Sequence, residues 1–263
     1  MFDCDKRTYI MGILNVTPDS FSDGGKFDNI DKALEHATKM VEEGADIIDL
    51  GGESTRPGHS YVEVDEELKR VIPVIKKLKE HLDIPISVDT YKAKVADESL
   101  KLGVEMINDI WGLKKDKNMA SVIAKHNAYI CIMHNQDNTD YDKDIMESIK
   151  EFLLESIDIA INAGVDKGKI ILDPGIGFGK TYEQNLEVLK RLGELKSLGY
   201  PILLGTSRKS VIGNTLNLPP QERVEGTIAT TVLGIRDGVD IVRVHDVGKN
   251  LRAAKMADAI YRA

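Results

Sequence analysis

Asp89, Asn108 and Asp173 each close a short apolar run, and such side chains cost free energy to bury unless they meet a partner. Together they offer directional acceptors, with a donor from the asparagine, a set that suits a planar heterocycle carrying adjacent N–H groups. Arg56, Arg208, Lys209, Arg243 and His245 add donors and positive charge suited to phosphate or carboxylate. Asn15, beside the oxygens of such an anion, can hold a hard cation such as Mg2+, which takes few protein ligands and keeps its waters. A heterocycle and an anion in one pocket fit a phosphorylated heterocyclic substrate.

The elements that must position these groups repeat along the chain. Apolar segments rich in β-branched residues predict strands at Tyr9–Leu14, Asp46–Leu50, Ile84–Val88, Glu105–Asn108, Tyr129–Met133, Ile170–Leu172, Pro201–Leu204 and Ile241–Val244. A stretch of helical period follows each. Between Ile30 and Glu43, residues Ala33, Leu34, Ala37, Met40 and Val41 form one apolar stripe. Leu68, Val71, Ile72, Ile75 and Leu78 form a second, and Leu186, Leu189, Leu192 and Leu195 belong to the sixth helix. Gly44, Gly103 and Gly164 stand where helices need left-handed caps. Eight strands and eight helices in 263 residues, about 33 per unit, with no break in composition, predict an α/β chain folded as one (β/α)8 TIM barrel over residues 1–263. A doubly wound open sheet is the alternative.

In a barrel the strand ends converge on one rim, which is where barrel enzymes carry their active sites. The runs end at Asn15, at Asp49 and Glu53-Ser-Thr-Arg-Pro-Gly58, at Asp89-Thr90, Asn108-Asp109 and His134-Asn135. The last three end at Asp173, at Thr206-Ser-Arg-Lys209, and at Arg243 with His245-Asp246. Helix capping explains an Asp or Asn at any one end. It does not call for Arg, Lys and His beside them. The segment Asn15–Gly25, longer than a usual connection, reads as a lid over substrate around its single aromatic, Phe21; a solvated loop is the simpler reading.

Other classes are disfavoured. A net charge of −8 argues against nonspecific contact with nucleic acid or an anionic membrane, and no apolar run is long enough to span a bilayer. The charged N-terminus does not read as a signal peptide, and Cys4 and Cys131 form neither a metal-spaced set nor a redox pair; Cys131 reads as packing. A cytoplasmic protein is the expectation. Pro174-Gly-Ile-Gly-Phe-Gly-Lys180-Thr181 looks like a P-loop, but Pro174 stands where the first glycine is needed. It lacks the third glycine of a dinucleotide fingerprint as well. Its glycines serve a tight turn that can approach a flat ligand.

Met11-Gly-Ile-Leu-Asn-Val-Thr-Pro-Asp-Ser-Phe-Ser-Asp-Gly-Gly25 resembles the first signature of the dihydropteroate synthases, and Asp46-Ile-Ile-Asp-Leu-Gly-Gly-Glu-Ser-Thr-Arg-Pro-Gly58 resembles the second. Ile86–Thr90, Ile107–Asp109, Leu172–Lys180, Gly205–Lys209 and Val242–Asp246 follow in the family's order. The resemblance spans the chain and is loosest over residues 135–143, where nothing beyond Met133 carries over. It implies a pterin-binding barrel, usually a homodimer built from the later helices. The implied reaction joins 7,8-dihydropterin-6-ylmethyl diphosphate to 4-aminobenzoate in folate synthesis, with release of diphosphate, and it is the target of sulfonamides.

By that resemblance Asp89, Asn108, Asp173 and Lys209 hold the pterin, and Met133, Phe178 and Gly205 line its slot. Asn15, Arg243 and His245 take the diphosphate, with Asn15 also at the Mg2+. Phe21, Asp23, Thr55, Arg56, Pro57, Lys209 and Ser210 border the aminobenzoate. Asp89, Lys209, Arg243 and His245 are the residues closest to the chemistry. The rival enzyme is a methyltransferase using methyltetrahydrofolate and a corrinoid partner, and the rival binder is a pterin-binding paralogue without catalysis. The segments Asn15–Gly25 and Glu53–Gly58, with Ser207-Arg208-Lys209, favour the synthase. A generic phosphate-binding barrel leaves the ordered segments unexplained.

Overall fold

Strand β1 (Tyr9–Asn15) alternates its side chains between two cores, and that alternation organises the molecule. Tyr9 and Met11 point into a small core shared with Ile47, Met106, Cys131, Ile171, Leu203 and Ile241, one or two residues from every strand of the barrel except the third. Ile10 and Leu14 point the other way, into a larger core roofed by the helices. Strands buried on both faces read as continuous apolar runs, as these do. The computed structural model describes residues 6–17, 26–54 and 61–262.

The order is β1, α1 (Lys26–Glu42), β2 (Ile47–Gly51), α2 (Val64–His81), β3 (Ile86–Asp89), α3 (Ala93–Lys101), β4 (Met106–Asp109), α4 (Met119–His126), β5 (Tyr129–Met133) and α5 (Ile145–Asn162). It continues with β6 (Ile170–Asp173), α6 (Tyr182–Lys190), β7 (Leu203–Leu204), α7 (Ser210–Leu216), α8 (Val224–Arg236), β8 (Ile241–Val244) and α9 (Val247–Tyr261). All seven strand pairings are parallel, in the order β6-β5-β4-β3-β2-β1-β8-β7. A bridge between Leu172 and Ile202, with the Leu172 amide donating to Pro201 O at 2.9 Å, joins β6 to β7 and closes the ring. The fold is the expected (β/α)8 barrel.

Gly44, Gly103 and Gly164 adopt φ of 94°, 85° and 93°, the left-handed caps that the sequence predicts. Three expectations need correction. Only Leu203–Leu204 forms β7, not Pro201–Leu204, because Pro201 has no N–H and the Ile202 amide donates to Asp240 Oδ2 at 2.9 Å. The sixth helix stops at Lys190, and Leu192–Leu198 continues as a tighter 3-10 stretch. The β7–β8 connection holds two helices, so the described residues contain nine; Asn217 leaves α7 in a left-handed conformation, and Pro219-Pro220 starts a separate turn.

Candidate active site

Register places the polar residues at one end of the barrel. Asp89 on β3 lies between Gly51 of β2 and Asn108 of β4, Met133 of β5 faces Asp173 of β6, and Arg243 of β8 pairs with Met11 of β1. The inward-facing series therefore passes from Met11, Met106 and Ile171 below to Asp89, Asn108, Asp173 and Arg243 above. These four line a cavity of about 550 Å³, with Asn15, Met133, Phe178, Gly205, Lys209, Ser210 and His245 around them. Every expected pterin and diphosphate residue is thus in one cavity. Of the expected aminobenzoate residues, Lys209 and Ser210 are there; Phe21, Asp23, Thr55, Arg56 and Pro57 lie outside the described residues.

An ion cluster forms the cavity floor. Arg243 Nε donates to Asp49 Oδ2 at 2.6 Å, and its Nη2 donates to Asp89 Oδ2 at 2.9 Å. Asp49 is fully buried and also accepts from Asn108 Nδ2 at 3.3 Å. Two carboxylates share one guanidinium, and burial opposes the charge on Asp89. Asp89 is accordingly pushed up to about 7, mainly by desolvation, with Arg243 opposing and Asp49 reinforcing the shift. One oxygen each of Asp89 and Asn108 is buried with no hydrogen-bond partner, so the floor retains acceptors for a ligand.

Asp173 and Lys209 form the second wall. Burial raises the Asp173 carboxyl, against the pull of Lys209. The Lys209 ammonium is lowered to about 8 by burial, against the pull of Asp173. It donates to Ile176 O and lies 4.6 Å over the Phe178 ring. The glycine segment makes this possible. Gly175 has φ of 70°, a Cβ there would lie 1.9 Å from His134 O, and its amide donates to Asp173 Oδ1 at 2.7 Å. A Cβ at Gly177 would come within 3.2 Å of Lys209 Cδ. These glycines serve a tight turn, as expected, and Lys180 locks the turn from behind. Its Nζ donates to Gly175 O and Phe178 O, both at 3.0 Å, and to His134 Nδ1 at 2.9 Å.

His245 is oriented by Ser207, whose Oγ accepts from the His245 amide at 3.1 Å and lies 2.9 Å from Nδ1. Asn15 brings one amide oxygen to the same cavity, and Gly51 leaves it room, since a Cβ there would sit 3.4 Å from Asn15 Oδ1. No group of three or more His, Cys, Asp or Glu among the described residues could cage a metal. A single hard oxygen beside an anion-binding wall fits a Mg2+ held mostly by substrate oxygens and water.

Some rim residues turn elsewhere. Asp109 holds its own turn, accepting from the Trp111 and Leu113 amides at 2.8 and 2.9 Å, a turn contact rather than a helix cap, since α4 starts only at Met119. His134 packs against Phe152 and Lys180, and burial lowers it to about 2. Arg208 lines the cavity, but its guanidinium is paired with Asp246 at 2.9–3.1 Å. Cys131 is buried in the barrel core, as expected. Two contributors went unassigned in the sequence. Asp49, an acid inside the run Ile47-Ile48-Asp49-Leu50, signals a buried cationic partner. Arg223 carries no such signal; it lines the cavity and donates to Arg208 O, Lys209 O and Leu218 O at 2.8–3.3 Å, holding the Lys209 segment in place.

The family model described as "Pterin binding enzyme" matches residues 11–245. The dihydropteroate synthase of Clostridium beijerinckii is 63% identical, over 99% of this chain and 97% of its own. The chain belongs to the dihydropteroate synthase family of pterin-binding enzymes. Among solved structures, the dihydropteroate synthase of Clostridium difficile determined in the presence of pteroic acid superposes with a TM-score of 0.99, at 75% identity and with both chains fully covered. The Yersinia pestis enzyme bound to a pterine-sulfa conjugate gives a TM-score of 0.91 at 41% identity, covering 99% of this chain and 96% of that one.

Proposed function

We propose that this chain is a transferase that condenses 7,8-dihydropterin-6-ylmethyl diphosphate with 4-aminobenzoate to give 7,8-dihydropteroate and diphosphate, a step of folate synthesis. The observation that carries this reading is one cavity in which buried acceptors (Asp89, Asn108, Asp173) sit beside an anion-binding wall (Asn15, Arg243, His245) and Lys209. A pterin ring presents adjacent N–H donors to Asp89, Asn108 and Asp173. Lys209 offers its ammonium to a ring acceptor, while Met133, Phe178 and Gly205 bound the slot. Lys209 and Ser210 edge the space for aminobenzoate, completed by Phe21, Asp23, Thr55, Arg56 and Pro57.

The bond that breaks joins the pterin methylene carbon to a diphosphate oxygen, and its electron pair leaves with the diphosphate. Arg243 and His245 stabilise the charge that grows on the departing group. The electron-rich ring spreads the positive charge left on the methylene, and we assign the Asp89 carboxylate to oppose it. The aromatic amine is neutral near pH 7, so its nitrogen attacks the methylene without a strong base and then loses a proton to solvent. That order favours a dissociative substitution. Mg2+, held at Asn15 and substrate oxygens, would supply further charge stabilisation to the diphosphate.

The reading extends to a homodimer in the cytoplasm. Leu233 of α8 and Met256, Ile260 and Tyr261 of α9 are exposed large apolar side chains on two helices packed together, which supports pairing of the later helices. No helix among the described residues is long and apolar enough to cross a membrane. Sulfonamides, as aminobenzoate mimics, would compete at the Lys209–Ser210 side. The test is to supply both substrates and Mg2+ to the purified chain and identify the product by mass. Dihydropteroate is expected; pterin binding without any product would instead favour a non-catalytic binder.

A further inference from the structure

Behind the cavity wall lies a buried ammonium that the reaction does not touch. Lys180 is 9% exposed, and neither it nor its neighbours His134 and Asn185 lines the cavity. An ammonium has three N–H donors, and here all three are used, on Gly175 O, Phe178 O and His134 Nδ1. The partners are two carbonyls and an imidazole that burial keeps neutral. A buried charge costs free energy unless an opposite charge meets it, so packing alone does not account for a lysine at this position. Its surroundings offer a reason.

The two carbonyls belong to the turn that forms one wall of the cavity. Gly177 and Phe178 line that wall, and Asp173 stands at its root. Gly175 O accepts from Phe178 N at 3.1 Å as well as from Lys180, and Gly175 N donates to Asp173 Oδ1 at 2.7 Å. Asn185 Oδ1 accepts from the Gly177 amide at 2.6 Å, and its Nδ2 donates to Thr181 O at 2.7 Å, which ties the turn to the start of α6. On the cavity side, Ile176 O accepts from Lys209. The back of the turn therefore rests on Lys180 and Asn185, while its front carries Phe178, Asp173 and Lys209. Charge couples the two sides: Lys180 favours the ionised Asp173, and Asp173 favours the charged Lys180. His134 anchors the ammonium from the end of β5, its ring packed edge-on to Phe152 with centroids 4.9 Å apart.

We infer that Lys180 is a positioning residue for the pterin half of the cavity: from behind the wall it fixes the 175–178 turn so that Phe178 and Asp173 face the ring, with His134 as the acceptor that holds it. This inference rests on the pterin reading of the cavity given above. A role in positioning weakens pterin selectively. A purely structural role lowers Tm and weakens pterin and aminobenzoate alike.

The test compares Lys180→Met, His134→Asn and His134→Leu with wild type and with Lys94→Met, which removes only an exposed pair with Asp65. Both His134 variants lose the ring, but asparagine keeps an acceptor near the position of Nδ1 and leucine offers none. Calorimetry with 7,8-dihydropterin is expected to show at least a fivefold loss of affinity in Lys180→Met and in His134→Leu, at most a twofold loss in His134→Asn, and wild-type affinity in Lys94→Met. The aminobenzoate KM, at saturating pterin substrate, should stay within twofold throughout. A loss below fivefold in folded Lys180→Met overturns the inference, as does an equal rise in the aminobenzoate KM or an equal loss in the two His134 variants. If Lys180→Met does not fold, the His134 pair decides. A wild-type chain that binds dihydropterin but makes no dihydropteroate refutes the transferase reading and leaves the calorimetric comparison intact, so the two failures are told apart.

Discussion

Replacing Arg243 with methionine removes the one cation shared by Asp49 and Asp89 while keeping most of the side-chain volume. Asp49 is fully buried and Asp89 nearly so, at 0% and 4% exposure. Breaking a buried ion pair by deleting one partner costs about 3–5 kcal/mol, because an uncompensated charge stays behind. At about 2–4 °C per kcal/mol for a domain approaching this size, that corresponds to a fall in Tm of roughly 6–20 °C. The loss should depend on pH in a definite direction. Asp89 already titrates near 7 in the folded chain, well above its unfolded value, and Arg243 is what holds it down. Without Arg243 its folded pKa rises further, so the folded state binds more protons than the unfolded state over a wider range. Stability of the variant then falls as pH climbs through that range, and the deficit is smaller at pH 5.5 than at pH 8.5. Adding Asp49→Asn removes one stranded charge and should recover part of the loss. Thermal melts of wild type, single and double variants at the two pH values measure all three effects. A deficit below about 1 kcal/mol, no pH dependence, or a double variant less stable than the single would refute the shared-cation account of the floor. Because the protonated Asp89 is a poorer acceptor, Arg243→Met should weaken free pterin as well as the diphosphate substrate, with the larger loss on the diphosphate.

Asp173→Asn should leave the glycine segment in place, since the amide oxygen can still accept from Gly175 N, yet lose a charge-assisted contact of about 1.5–3 kcal/mol, or roughly 10- to 150-fold in pterin affinity. Normal pterin binding by calorimetry would remove Asp173 from the ring site. Pterin affinity of the wild type should be bell-shaped in pH. It should fall about tenfold per unit below 7 as Asp89 takes up a proton, and fall again above 8 as Lys209 discharges. A flat profile between pH 6 and 9 would show that neither charge is used.

The barrel was legible because each unit repeats a local rule: a buried run, a helix with one apolar stripe, and glycine at three caps. The residues that line the cavity were legible because polar side chains ended those runs, and their ordered motifs resembled one family. The partners of Arg243 were not legible. Asp49 and Asp89 lie 194 and 154 residues away in sequence, and only barrel closure makes them neighbours. Arg223 was missed for a related reason: its role is to hold backbone carbonyls, which leave no trace in side-chain pattern. Asp109 and His134 show the opposite error. Both stand at strand ends like the functional residues, but one serves its own turn and the other braces Lys180. The short β7 depends on Asp240 taking the Ile202 amide, a contact between segments that periodicity does not reveal.

The most direct test of the central claim is the release of diphosphate from 7,8-dihydropterin-6-ylmethyl diphosphate by the purified chain with Mg2+, followed with and without 4-aminobenzoate. With the amine, one diphosphate should appear for each dihydropteroate formed; without it, slow release is expected, since the bond can break before the amine attacks. Tight pterin binding with no diphosphate released under either condition would contradict the account.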